Sequence, residues 1–203
     1  MSQESILRNF IVFEGLDGSG TTTQTSLLRE RLENGGRPCH ATFEPTRAPI
    51  GTMIRSILGG GTAVTPYTMA LLFAADRQEH LYAENGLAAL AASGITVISD
   101  RYLFSSLAYQ SGECGFSSVL SLNANFHLPE ILFYLDLDPE ICMERIAGRG
   151  RQEIYENLAK QKEVYGFYRQ ALEHFSDTAM RIVRLDGNLP IRELAENIWN
   201  YLA

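Results

Sequence analysis

The stretch from Phe10 to Thr22 constrains the fold of this 203-residue chain more than any other. An apolar run rich in β-branched and aromatic residues ends at Gly15, two further glycines follow within the next five positions, and a helix-compatible stretch comes next. This order predicts a strand, a turn and a helix. The spacing Gly15-x-x-x-x-Gly20-x-Thr22 matches the P-loop pattern, in which backbone N–H groups and the dipole of the following helix face phosphate oxygens.

One residue departs from that pattern. Thr21 stands where the P-loop has a lysine, so the charge that bridges the outer phosphates is absent. Thr22 occupies the position of the Mg²⁺-binding hydroxyl. A tight strand-to-helix turn without a ligand is the alternative interpretation. We expect the ATP phosphates to be bound by the loop and the first helical turn, namely by Gly15, Asp17, Gly18, Ser19, Gly20, Thr21 and Thr22.

Composition limits the classes of partner. The formal net charge is −7, which argues against a general nucleic-acid surface or an anionic membrane partner because both require a basic face. Of the 17 cationic residues, only Lys160 and Lys162 are lysines, so we expect an arginine to replace the missing P-loop charge. With 203 residues and 45% hydrophobic composition, the chain is expected to form one domain, 1–203.

Features of the cysteines and of the N-terminal segment predict a cytoplasmic protein. The cysteines Cys39, Cys114 and Cys142 are widely spaced and show no metal-like pairing, which suits a reducing compartment. The segment from Met1 to Arg8 is polar and lacks the order of a secretory signal, and no apolar run approaches the ~20 residues that a membrane span requires.

Strand and helix patterns alternate along the chain. Apolar runs at Cys39 to Glu44, Thr96 to Asp100, Ile131 to Asp136 and Arg181 to Leu185 predict further strands, with helical periodicity between them. Long helices are predicted from Pro66 to Ala92 and from Glu153 to Phe175. The sequence therefore predicts a three-layer α/β P-loop NTPase fold with a parallel five-stranded sheet flanked by helices.

Chemically distinctive residues follow several strands. Glu44 and Arg47 lie in a loop after the second strand, where ligands bind in open α/β sheets. Asp100 ends a central strand and is expected to anchor Mg²⁺, and Arg101 is expected to face phosphate. The alternative is that Asp100 and Arg101 pair only with each other.

Two further groups of residues suggest ligand contacts. Phe73 and Arg77 are four residues apart and share a helix face, so a ring and a guanidinium can meet one ligand; a core phenylalanine and a salt-bridged arginine are the alternative. Arg145, Arg149 and Arg151 surround two glycines, which predicts a short cationic lid at about 148–156. A solvated basic turn is the alternative for this segment.

Four segments together resemble the thymidylate kinase family, within the P-loop nucleoside monophosphate kinases. They are Phe13-Glu14-Gly15-Leu16-Asp17-Gly18-Ser19-Gly20, Leu71-Leu72-Phe73-Ala74-Ala75-Asp76-Arg77, Asp100-Arg101-Tyr102 with Ser105-Ser106-Leu107-Ala108-Tyr109-Gln110, and Tyr134-Leu135-Asp136-Leu137-Asp138-Pro139. The resemblance implies a homodimer that uses Mg²⁺ and transfers the γ-phosphoryl group of ATP to dTMP, giving dTDP.

The resemblance also implies roles for individual residues. Phe73 stacks on thymine, Arg77 contacts a base carbonyl, and Ser106 and Tyr109 lie beside base and sugar, with Tyr109 crowding the 2′ position. The other implied contacts are those of Asp17 with the sugar 3′-hydroxyl, Arg101 with the acceptor phosphate and Asp100 with Mg²⁺. The expected dTMP-binding residues are Asp17, Glu44, Phe73, Arg77, Arg101, Ser106 and Tyr109.

Departures from the family pattern leave other functions open. Besides Thr21, the chain has Phe43 and Thr46-Arg47 where Arg-Glu-Pro-Gly-Gly is usual, and Ile154 where many relatives place a lid arginine. We expect Arg149 or Arg151 to supply the missing charge, and we expect the catalytic residues to be Asp17, Arg101, Arg149 and Arg151. The alternatives are a nucleotide-binding protein with impaired catalysis and a kinase for another nucleotide or nucleoside.

Overall fold

The computed structural model describes residues 5–147 and 157–202. Five strands in this part of the chain form one sheet in the order β2-β3-β1-β4-β5, and every neighbouring pair is parallel. The strands are β1 Ile6–Gly15, β2 Cys39–Phe43, β3 Thr96–Asp100, β4 Leu128–Asp136 and β5 Arg181–Asp186. The predicted α/β fold with a parallel five-stranded sheet is confirmed.

Helices connect the strands and cover both faces of the sheet. Those of the described ranges are α1 Thr21–Asn34, α2 Pro49–Leu58, α3 Pro66–Tyr82, α4 Leu87–Ala92, α5 Leu103–Tyr109, α6 Ser111–Cys114, α7 Phe116–Asn123, α8 Pro139–Ala147, α9 Leu158–His174 and α10 Ile191–Asn200. Because side chains of a strand alternate between the two faces, each central strand contributes to two separate hydrophobic clusters.

The two clusters lie on opposite faces of β1. Phe10 and Val12 belong to the cluster that includes buried residues of α4, α5 and α9. Ile11 and Phe13 belong to the cluster beneath α1 and α10, where Phe13 stacks on Phe133 of β4 at a ring-centroid distance of 5.2 Å. The strand that leads into the glycine loop is therefore packed on both faces, which fixes the position of that loop.

The register of the sheet brings three strand ends together. Phe13 of β1 and Phe43 of β2 both pair with Asp100 of β3. Two backbone hydrogen bonds extend this arrangement beyond the strands, from Arg101 N to Phe13 O at 2.9 Å and from Glu44 N to Asp100 O at 3.1 Å. The glycine loop, the Glu44 loop and the Asp100-Arg101 pair consequently meet at one edge of the sheet.

Some predicted helix boundaries need correction. The single helix expected from Pro66 to Ala92 is wrong, because α3 ends at Tyr82 and α4 begins at Leu87. Asn85 between them has a φ of 63°, a left-handed conformation that interrupts a right-handed helix. The long helix expected from Glu153 begins at Leu158, where the Asn157 side chain accepts a hydrogen bond from the amide of Lys160.

Two other expectations concern the lid and the membrane. The predicted lid at about 148–156, with Arg149, Arg151 and Ile154, lies outside the described residues. Within 5–147 and 157–202, the helices lack the combination of length and apolar character that crossing a membrane requires.

Candidate active site

The loop after β1 forms a tight cradle at the N-terminus of α1. A Cβ atom on Gly15 would lie 2.5 Å from the Ser19 hydroxyl oxygen and 2.9 Å from the Leu135 carbonyl oxygen, so a larger residue does not fit without a shift. Gly20 has a φ of 102°, which glycine adopts without strain. Within the described residues, α1 has neither a side-chain cap nor an acidic residue in its first turn. This helix end suits an anion such as phosphate.

The predicted ATP-binding residues lie together in this cradle and in the first turn of α1. They are Gly15, Asp17, Gly18, Ser19, Gly20, Thr21 and Thr22. The Ser19 hydroxyl is buried and has no hydrogen-bond partner in the described part of the chain. Leaving such a group unsatisfied costs free energy, so a phosphate or a water molecule at the cradle is a favourable partner for it.

Thr22 and Asp100 form the expected pair beside the cradle. The Thr22 hydroxyl donates a hydrogen bond of 2.5 Å to Asp100 Oδ2, whereas Asp100 Oδ1 is buried without a partner in the described ranges. A hydroxyl and a carboxylate with a spare oxygen fit Mg²⁺, which keeps several waters and is completed by phosphates of the substrate. The described residues contain no group of three or more His, Cys, Asp or Glu side chains that could hold a metal ion.

Arg101 is held between the cradle and a group of hydroxyls. Its Nη2 atom lies 2.5 Å from Asp17 Oδ1. Its Nη1 atom donates to Gly15 O at 3.0 Å, and to the hydroxyls of Ser105 and Tyr168, each at 3.2 Å. The alternative in which Arg101 pairs only with Asp100 is therefore wrong, because the Arg101 side chain reaches Asp17. The backbone of Arg101 is left-handed at this point, with a φ of 73°.

A cavity next to Arg101 collects most of the predicted dTMP-binding residues. Its lining includes six of the seven, namely Asp17, Glu44, Phe73, Arg77, Arg101 and Tyr109. Pro45, Leu58, Tyr102, Ser105 and Gln110 complete the wall. The Tyr109 hydroxyl accepts a hydrogen bond of 3.2 Å from the Asp17 amide, which ties the cavity wall to the cradle.

Arg77 is buried in the wall of this cavity. Its Nε atom donates to Glu44 Oε2 at 2.9 Å, and its Nη2 atom lies 2.7 Å from the same oxygen. Nη1 donates to Asn123 Oδ1 at 2.5 Å, and Nη2 to the Ser106 hydroxyl at 3.1 Å. Ser106, which was expected beside base and sugar, contacts Arg77 and is not among the residues that line this cavity. His80 contacts the second Glu44 oxygen at 3.1 Å.

The Glu44 loop is anchored by a buried carboxylate. Asp76 is 1% exposed and accepts hydrogen bonds from the Thr46 amide at 2.7 Å and from the Thr46 hydroxyl at 2.6 Å. Asp76 directly precedes Arg77 in α3. The same helical turn therefore holds the loop, through Asp76, and carries the guanidinium group whose charge Glu44 neutralises. Adjacent residues of one helix therefore hold two parts of the cavity wall in place, the Glu44 loop and the Arg77 side chain.

A second cavity adjoins the first at the Glu44 loop and Arg101. It is lined by Thr22, Phe43, Glu44, Pro45, Arg55, Leu58, Asp100 and Arg101. Four of these residues also line the first cavity, and Arg101 is one of them. The guanidinium carbons of Arg55 and Arg47 lie 5.1 and 5.3 Å from the Phe43 ring centroid. Arg55 therefore brings positive charge to the cleft in which Thr22 and Asp100 lie.

The sequence did not identify several residues of this site. Arg55 and Gln110 line the cavities, Asp76 and Asn123 hold the wall, and Tyr168 contacts Arg101. Asp76 could have been suspected from its position beside Arg77. Asn123 and Tyr168 lie far along the chain from their partners, and only the fold brings them to the site.

Comparison with known proteins assigns the family. A sequence model of the family described as thymidylate kinase matches residues 13–198. The chain belongs to the thymidylate kinase family. The resemblance noted in the sequence is thus confirmed, and with it the prediction, at the level of the family, of a phosphotransferase that acts on dTMP.

Individual relatives match over nearly the same length. The chain is 40% identical over 201 residues to a Treponema pallidum protein that carries the thymidylate kinase name, covering 98% of this chain and 96% of the relative. It is 39% identical over 183 residues to a thymidylate kinase of Leptospira interrogans, covering 88% of this chain and 86% of that protein. A thymidylate kinase of Leptospira borgpetersenii is 36% identical over 182 residues, which is 88% of this chain and 85% of the relative.

Proposed function

We propose that the protein transfers the γ-phosphoryl group of ATP to the 5′-phosphate of dTMP at the two adjoining cavities. The observation that carries this proposal is the place of Arg101, which lines both the cavity beside the cradle and the cavity that contains Phe73 and Arg77. A guanidinium between two phosphate sites neutralises charge on both substrates, and phosphoryl transfer depends mainly on such neutralisation and on alignment.

The first cavity suits the acceptor. Phe73 offers an aromatic face for thymine, and Arg77, held by Glu44, contacts a carbonyl oxygen of the base. Asp17 and Tyr109 lie at the sugar, where Asp17 contacts the 3′-hydroxyl and Tyr109 crowds the 2′ position. Arg101 binds the acceptor phosphate. Each of these contacts is a proposal supported by the shared cavity and by the hydrogen bonds that fix the wall.

The second cavity and the cradle suit the donor. Backbone groups from Gly15 to Thr22 bind the phosphate tail, and Thr22 and Asp100 hold Mg²⁺. When bound, the ion neutralises negative charge on the phosphate oxygens. The Thr22 hydroxyl and Asp100, whose Oδ1 atom has no partner within the described residues, would hold the ion beside the cradle.

Arginines replace the missing P-loop lysine in this proposal. Arg101 and Arg55 already line the cleft beside Thr22. Arg149 and Arg151, which lie outside the described residues, are the further candidates and belong to the proposed lid at 148–156. A guanidinium keeps its charge throughout the working pH range and binds phosphate oxygens with two donors, so it suits this substitution.

Assembly and location complete the proposal. We propose that 1–203 is one cytoplasmic domain and that two copies form a homodimer. The exposed Leu71 of α3 and Met53 of α2 support an apolar contact surface on this half of the molecule, and light scattering after gel filtration tests the expected mass of two chains.

An assay of ADP production tests the function itself. ATP with dTMP is expected to give a higher kcat/KM than ATP with dUMP, dGMP or thymidine. The family match favours this activity over a catalytically impaired nucleotide-binding protein, for which nucleotide binding without turnover is expected.

A further inference from the structure

Glu14 is a buried carboxylate that the proposed reaction does not use. It lies in β1 directly before Gly15 and has no exposed surface. Its Oε1 atom accepts hydrogen bonds from the amides of Tyr102 at 2.8 Å and Ser105 at 3.1 Å. Its Oε2 atom accepts from the Ser105 hydroxyl at 2.6 Å and from the Tyr168 hydroxyl at 2.8 Å. Four donors therefore converge on one carboxylate.

The two hydroxyls that donate to Glu14 also contact Arg101. Ser105 Oγ and the Tyr168 hydroxyl each lie 3.2 Å from Arg101 Nη1. A hydroxyl has one proton, so a hydroxyl that donates to Glu14 presents its lone pairs to the guanidinium. An ionised Glu14 can only accept, and it therefore fixes both hydroxyls as acceptors toward Arg101. The direction of every hydrogen bond in this cluster follows from one buried charge.

This cluster restrains Arg101, the residue that is proposed to bind the acceptor phosphate. Arg101 is restrained at Nη2 by Asp17 and at Nη1 by Gly15 O and the two hydroxyls. Tyr168 comes from α9, on a different part of the chain from Arg101, and it is fully buried. A guanidinium bound on one side by fixed acceptors keeps its orientation without spending conformational entropy when phosphate binds.

We propose that Glu14 and Tyr168 are positioning residues that orient the Arg101 guanidinium toward the acceptor phosphate. The inference rests on the proposed function, because it assigns Arg101 to the phosphate of dTMP. It assigns no contact between substrate and either Glu14 or Tyr168. Their effect is therefore confined to ligands that carry the phosphate, and thymidine, which lacks it, serves as the discriminating probe.

The test compares the binding of dTMP and thymidine to Tyr168→Phe by calorimetry at pH 8. Loss of a hydrogen bond to a charged group is expected to weaken dTMP binding by about tenfold or more, and thymidine binding is expected to stay at the wild-type value. Tyr165→Phe is the matched control, since the Tyr165 hydroxyl lies one turn earlier on α9 and donates to Asp136 at 3.0 Å. That variant is expected to bind both ligands as the wild type does.

A second variant tests the direction of the hydrogen bonds. Glu14→Gln places an NH₂ group next to the hydroxyls if its carbonyl oxygen accepts from the two amides. The hydroxyls must then accept from the amide nitrogen, whose N–H groups compete with Arg101 for the hydroxyl lone pairs. We expect the same selective loss of dTMP binding as in Tyr168→Phe.

The outcomes separate this inference from the proposed function. If the wild type binds dTMP no more tightly than thymidine, the assignment of the acceptor phosphate to Arg101 fails. If the wild type prefers dTMP and both variants keep the full preference, the positioning role is overturned while the proposed function stands. A parallel loss of dTMP and thymidine binding in both variants also overturns it, because that result indicates a general structural role.

Discussion

The carboxylate of Asp17 lies 2.5 Å from the guanidinium of Arg101, although the two residues are 84 positions apart in the chain. Asp17 belongs to the glycine loop after β1, and Arg101 directly follows β3, the neighbouring strand. The ion pair thus joins the glycine loop to the arginine that lines both cavities. Any change at Arg101 is expected to disturb the alignment of the two substrates.

Arg101→Lys is expected to lower kcat/KM for dTMP by ~10²–10³-fold, by analogy with the loss of one donor in other transition-state sites. A single ammonium group cannot reach Asp17, Gly15 O and the acceptor phosphate together. Steady-state kinetics at saturating ATP measures the effect. Arg8→Lys is the control, because Arg8 is exposed and pairs with Glu130 at the surface. Unchanged kcat/KM in Arg101→Lys would contradict the central role of this side chain.

Thr21→Lys tests whether the cleft already contains enough positive charge. If arginines replace the P-loop lysine, adding that lysine is expected to change kcat by less than about tenfold, which corresponds to ~1.4 kcal/mol of barrier. A much larger rise in kcat would show that arginines do not supply the charge of the missing lysine, contrary to the proposal.

The hypothesis that arginines replace the P-loop lysine also makes a prediction for the proposed lid. Arg149→Ala or Arg151→Ala is expected to lower kcat far more than it weakens dTMP binding, because the charge acts on the transferred phosphoryl group. Kinetics and calorimetry on each variant separate the two effects. Normal turnover in both variants would remove these arginines from the mechanism and leave Arg55 and Arg101 as its cationic groups.

The buried Glu14 predicts a pH dependence of stability. Burial raises the pKa of Glu14 from 4.5 to about 7, although the charge of Arg101 and the hydrogen bonds to the carboxylate lower it. Between these pH values the folded chain binds a proton that the unfolded chain lacks, so the free energy of unfolding falls as pH rises through this window. Relative to Glu14→Gln, the wild type is expected to lose up to about 3 kcal/mol of unfolding free energy as the pH rises through this window. Urea unfolding from pH 4 to 8 measures this difference, and parallel curves would refute it.

Glu44→Gln is expected to destabilise the fold through Arg77. Replacing one partner of a buried ion pair leaves the other charge uncompensated, which costs about 3–5 kcal/mol of unfolding free energy. The matched control is Glu140→Gln, which makes the same chemical change in the exposed pair with Lys162 and is expected to leave the free energy of unfolding nearly unchanged. Equal losses of unfolding free energy in the two variants would contradict a larger contribution of the buried pair to stability.

Local sequence patterns predicted those parts of the fold that depend on nearby residues. The apolar run before Gly15, the glycine spacing and the shared face of Phe73 and Arg77 all involve short separations, where periodicity is informative. The break at Asn85 was missed because helical periodicity continues on both sides of it. A left-handed residue has no effect on that periodicity.

Long-range contacts were beyond the reach of these patterns. The sequence left open a pairing of Arg101 with its neighbour Asp100, whereas the fold pairs Arg101 with Asp17. The hydrogen bond from Tyr168 to Glu14 joins residues 154 positions apart. The first contact follows from the pairing of β1 with β3 and the second from the position of α9, and one sequence contains no direct signal for either.

Steady-state ADP formation with ATP and a panel of acceptors tests the account most directly. We predict that kcat/KM for dTMP exceeds the values for dUMP, dGMP and thymidine, because Phe73 and Arg77, proposed to bind thymine, and Arg101, proposed to bind the phosphate, line one cavity. Absence of ADP formation with dTMP, or a higher kcat/KM with another acceptor, would contradict the proposed reaction.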